Sequence, residues 1–212
     1  MGIYIEALTL YIILFFSGAA SFFTGGGEGF SISTDFIRAS AFTVFSLALI
    51  WYLLLRARNL KDWDVLPGKK DIISCVVALP CLFLTGFFTA AASFITGGQD
   101  VQASINIPST TPGWIAVCFY CVFSAYLEES FFRFYLLSRR EELRLSALSA
   151  LVVSVVLFSI CHLYEGPWGF LNSVISGTIL CFVFLRYHSL HGIAIAHGLY
   201  NIFIYVNYAM LA

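Results

Sequence analysis

Apolar residues run along this chain in long blocks, with few of the polar positions that recur every third or fourth residue in a helix half-exposed to water. Seven blocks stand out, at 3–23, 36–55, 72–95, 113–137, 147–164, 169–186 and 189–209. Each has about the 17–25 residues that carry an α-helix across the hydrocarbon of a bilayer. The pattern predicts an all-α fold: a polytopic membrane helical bundle of about seven transmembrane helices. Residues 1–212 then form a single membrane-embedded domain.

The segments between blocks sort by basic charge. Residues 56–71 carry Arg56, Arg58, Lys61, Lys69 and Lys70; residues 138–146 carry Arg139, Arg140 and Arg144; Arg186 sits in the short link near 186–188. The links at 24–35, 96–112 and 165–168 have no Lys or Arg. Basic and neutral links alternate, which by the positive-inside bias predicts the N-terminus inside and the C-terminus outside. The start, MGIYIEALTL, lacks a basic n-region and reads as a retained first span. Trp51, Trp63, Trp114 and Trp168 fall near span ends, and 58–70 could lie along the inner surface.

Composition agrees and excludes other classes. Hydrophobic residues make up 60% and charged residues 11%, where a soluble domain has about 45–50% and about 25%. A net charge of −1 with no basic block excludes an electrostatic nucleic-acid binder. Six cysteines, all within apolar stretches, form neither a zinc motif nor a disulfide framework and read as packing residues. One echo is internal. Phe15–Glu28 and Phe87–Asp100 are identical at nine of fourteen positions, which suggests that spans 1–2 and 3–4 are a parallel repeat.

Ionisable groups inside spans cost several kcal/mol and mark function by default. Here they gather in three places: Glu128, Glu129 and Arg133 in span 4, His162 at the end of span 5, and His197 with Asn201 in span 7. Glu129 and Arg133 are i,i+4 with the acid first, the favourable order for an ion pair. Glu128 lies about 100° round the helix, so the same arginine cannot face both carboxylates. Glu128 is left as a candidate general base. His197 and Asn201, also i,i+4, share one face of span 7. Glu6 and Arg38 lie near span ends, where snorkelling is open to them. Helix–helix glue is the competing reading for the whole set, and it suits the Glu129–Arg133 pair best.

The ordered set Glu128-Glu129-x-x-x-Arg133, Phe158-x-x-x-His162 and His197-x-x-x-Asn201 resembles the CAAX-protease and bacteriocin-processing (CPBP, or Abi) family of glutamic-type intramembrane proteases. The resemblance covers about 113–205, with His191 as a departure where many relatives carry a bulky aromatic. It implies an endopeptidase that hydrolyses a peptide bond of a membrane-anchored protein or peptide. Glu128 and His162 would activate water, His197 and Asn201 would hold the oxyanion, and Glu129 and Arg133 would support the site. No cofactor and no metal are expected. The short chain resembles prokaryotic members, so a cytoplasmic (inner) membrane location is expected and a prenylated substrate is not implied.

Other protease chemistries lack their residues. There is no HExxH; the one GxS, Gly29–Ser31, lies between spans; and Asp35, Asp62, Asp64, Asp71 and Asp100 all sit in links or at span edges. Two alternatives remain: a non-proteolytic immunity, scaffold or proton-relay protein built on the same cluster, and a divalent-ion site made from the Glu, His and Asn side chains.

Overall fold

The structure, a computed structural model, describes residues 2–24, 43–52, 66–97 and 107–211. Among them are seven helices and no strand. These are α1 (Gly2–Thr24), α2 (Thr43–Tyr52), α3 (Lys69–Thr96), α4 (Thr111–Ser138), α5 (Ala147–Ile160), α6 (Gly166–Tyr187) and α7 (Leu190–Leu211). They fall where the seven apolar blocks predict helices. Four of them, α3, α4, α6 with the turn before it, and α7, are long and apolar enough to cross a membrane. Residues 58–65 of the surface stretch and the ends of both copies of the echo, 25–28 and 98–100, lie outside the described residues.

The way side chains are distributed explains why this is a membrane fold. Helix α3 turns Ser74, Ala78, Thr85, Thr89 and Ser93 inward, while Val76, Leu84, Phe87, Phe88, Phe94 and Ile95 face out. Small residues on the inner stripe let α6 and α7 approach closely, and bulky apolar ones meet lipid. In water the arrangement would be inverted.

Side-chain contacts fix the chain directions. Helix α3 is parallel to α7: Ser74 donates to Ser189 just before α7 (2.7 Å), and Phe83 packs edge-on against Tyr200 and Phe203. Asp71, which reads from the sequence as an edge residue, is buried; it accepts from Ser189 and from the Gly68 N–H (2.6 Å). Gly192 is required here, since a Cβ on it would lie 1.9 Å from Ser74 Oγ.

Three local features depart from simple crossings. Helix α5 has 14 residues, about 21 Å at 1.5 Å per residue against a hydrocarbon core of ~30 Å. It stops at Ile160, and a 3₁₀ turn (Leu163–Glu165) leads into Gly166-Pro167, where proline fits the first turn of α6. Helix α4 passes through one π-helical segment, Ser130–Tyr135, and residues 129–137 are all buried, so it forms the axis of the bundle. Glu6 does not simply snorkel. It accepts from Tyr135 Oη (2.5 Å) and Arg139 Nη1 (2.6 Å), and Arg139 also pairs with Glu142, tying α1 to the basic end of α4.

Candidate active site

The site is built where α4 meets α5, α6 and α7. The expected ion pair forms: Arg133 Nη1 donates to Glu129 Oε1 at 3.1 Å, and both side chains are fully buried. A charge so placed needs several partners. Arg133 Nη2 donates to the Gly177 carbonyl on α6 (3.3 Å), and the guanidinium lies 4.3 Å over the Phe158 ring. Gly177 makes room for this. A Cβ there would lie 3.0 Å from Phe158 Cδ1 and 3.3 Å from Arg133 Nη2. Gly177→Val is therefore expected to destabilise by about 1–3 kcal/mol, the usual cost of overpacking, and to lower turnover by shifting the arginine. Thermal melting and activity measured on the same preparation check both effects.

Glu129 does more than neutralise Arg133. Its Oε1 also accepts from His197 Nδ1 at 2.8 Å, across from α4 to α7. That bond fixes the ring's orientation and turns Nε2 toward Glu128 Oε2, 3.8 Å away. Close backbone approach makes the reach possible: a Cβ on Gly198 would lie 3.0 Å from Val122 Cα.

Glu128 is placed differently. Its side chain is 18% exposed. Ser124 donates to Oε1 (3.2 Å), while Oε2 is buried without a hydrogen-bond partner. Each of the two adjacent carboxylates leaves Oε2 without a hydrogen-bond partner; they differ in that Glu129 is fully buried with Oε1 held by Arg133 and His197, whereas Glu128 is partly exposed and bonded through Oε1 to Ser124.

His162 follows the last turn of α5. Its Nδ1 lies 2.9 Å from the Phe158 carbonyl, which can only accept, so Nδ1 is the donor and Nε2 is turned to other partners. Its ring packs on Phe158 at 4.5 Å, and Phe158 meets His197 edge-on at 6.0 Å. Phe158 therefore stands between both histidines and the arginine. Asn201 lies one turn beyond His197 on α7 and is half-buried.

The structure thus joins Glu128, Glu129, Arg133 and His197 by direct contacts and sets His162 one ring away. The roles of Phe158 and Gly177 were open to notice in the sequence only as an aromatic four residues before a histidine and a glycine between polar small residues. His191 pairs with Tyr126 Oη (3.1 Å) at the start of α7. No three His, Cys, Asp or Glu side chains among the described residues converge as a metal site.

Residues 110–203 match the family model described as Type II CAAX prenyl endopeptidase Rce1-like. This segment is similar to the Rce1-like family; the match spans less than half of the chain. All six candidate residues fall inside the Rce1-like segment, as do α4, α5, α6 and most of α7. The family it is similar to is described as a CAAX prenyl endopeptidase, a kind of peptidase. No curated protein and no solved structure matches the chain.

Proposed function

We propose that the protein is a glutamate-dependent endopeptidase that cleaves a membrane-anchored protein or peptide within the bilayer, from a cytoplasmic membrane in which its N-terminus faces inside. The observation that carries this reading is the contrast between the two carboxylates. Glu129 is fully buried with Oε1 held at hydrogen-bond distance by both Arg133 and His197, whereas Glu128 is 18% exposed and its Oε2 stands 3.8 Å from His197 Nε2 without a hydrogen bond. A carboxylate that water can reach and that no arginine holds is the one of the two able to take a proton from water.

In this mechanism water binds between Glu128 Oε2 and His162 Nε2. Glu128 takes a proton as the oxygen attacks the scissile carbonyl, and His162, held by Phe158, orients the water through its lone pair. The negative charge on the tetrahedral intermediate is met from α7 by the Asn201 amide and by His197. Because Nδ1 of His197 is bound to Glu129, a contact from Nε2 to the oxyanion requires the doubly protonated ring, with carboxylates on both sides to balance its charge. The proton held by Glu128 then passes to the leaving amine.

Mass spectrometry of membrane proteins from cells making wild type or Glu128→Gln tests the activity and locates the cut together. A fragment that appears only with wild type is expected; identical proteomes would leave the cluster as a relay or scaffold. The oxyanion roles have their own test. Asn201→Ala should lower kcat by about 10²–10³, as loss of one such donor does, with KM nearly unchanged. Chelator should have no effect. Inhibition by chelator that zinc reverses would instead make His197 and Asn201 metal ligands.

A further inference from the structure

On the side of α4 away from the catalytic cluster lies a cavity of about 250 Å³. Helices α1, α4 and α5 enclose it, and its walls include Tyr4, Leu8, Phe131, Leu143, Val153 and Leu157. It opens between α1 and α5, where Leu8 is 59% exposed, so its mouth faces lipid and not the interior. Nothing in the catalytic arrangement uses it.

Its lower rim is polar and cationic. The segment joining α4 to α5 threads Leu143 and Leu145 into the cavity wall and turns Arg144 outward between them. That reversal requires Arg144 to adopt φ 52°, a left-handed conformation that side chains seldom take. Tyr4 Oη donates to the Leu143 carbonyl (2.7 Å), which pins α1 to the same segment. Of the nearby charges, Glu6 and Glu142 are taken up by Arg139. Arg140 and Arg144 make no ion pair among the described residues, and Glu141 is the one carboxylate of this segment not held by Arg139.

We propose that this is a binding site for an anionic phospholipid of the leaflet that meets the basic end. One acyl chain fills the cavity between α1 and α5, and the phosphate lies against Arg140 and Arg144. The chemistry is complementary at both ends: an apolar slot between α1 and α5, and, in the segment that supplies Leu143 and Leu145 to its wall, two arginines that make no ion pair among the described residues. Basic pockets beside membrane helices hold anionic headgroups for the same reason. The lipid would act as a wedge that holds α1 against α4 and α5, away from the peptidase residues, so the site stands whether or not the proposed catalysis does.

Native mass spectrometry of the purified chain tests this, with phosphatidylglycerol and phosphatidylcholine of the same acyl chains titrated separately. Two arginines should favour phosphatidylglycerol by about thirtyfold, taking each at its usual strength beside an anionic surface. Arg140→Gln with Arg144→Gln should bring phosphatidylglycerol down to the phosphatidylcholine level, and Val153→Phe should reduce retention of both. Because Val153→Phe could disturb folding, a phosphatidylglycerol with a photoreactive acyl chain provides a second readout on wild type. Its label should fall on residues 143–157, on α1, or on Phe131 and Leu136 of α4. Equal binding of the two lipids, undiminished preference in the double arginine variant, or labelling elsewhere would each overturn the proposal.

Discussion

Glu128→Gln should lower peptide-bond turnover by about 10²–10⁴, the range that a lost general base commands, with the melting temperature close to that of wild type. The two halves of this expectation have separate reasons. Glutamine keeps the shape and keeps an oxygen for the Ser124 hydroxyl, now 3.2 Å from Oε1. No arginine is stranded, because among the described residues Glu128 pairs only with His197 Nε2, 3.8 Å away and already anchored through Nδ1. What disappears is the basic lone pair at Oε2. Activity and thermal stability in detergent should be read on one preparation. Full cleavage by the variant would remove Glu128 from the mechanism, and loss of folding would show that the carboxylate is structural.

How far the sequence foretold this arrangement can be argued residue by residue. Apolar blocks located the helices within a few residues, because a bilayer imposes length and hydrophobicity on each crossing independently of its neighbours. The Glu129–Arg133 pair was legible for a similar reason: both partners sit on one helix, where spacing alone sets the distance. The bond from Glu129 to His197 was not legible. It depends on how α7 is rotated against α4, which glycines such as Gly198 decide through packing and which an all-apolar helix does not reveal by periodicity. Glu6 was misjudged for the same reason, since Arg139 lies 133 positions away. The π segment at Ser130–Tyr135 and the early end of α5 at Ile160 also escaped, because no proline or glycine punctuates either place. Interhelical geometry, and not helix location, is the part that must be seen.

Glu129→Gln should behave in the opposite way to its neighbour, destabilising by about 3–5 kcal/mol, the cost of leaving one partner of a buried ion pair unmatched. Arg133 would keep its contacts with the Gly177 carbonyl and the Phe158 ring, but neither carries a compensating charge. Its Nε already lacks a hydrogen-bond partner, so little remains to absorb the loss. A double variant separates fold from chemistry. Adding Arg133→Met removes the stranded charge, and apolar replacement of a buried pair is often close to neutral, so most of the stability should return. Activity should not. His197 would still lack the carboxylate that orients Nδ1 and balances its charge, and the oxyanion would lose a well-placed donor. Recovery of turnover together with melting temperature would mean that Glu129 serves the fold alone. Recovery of melting temperature without turnover would assign it to the positioning of His197.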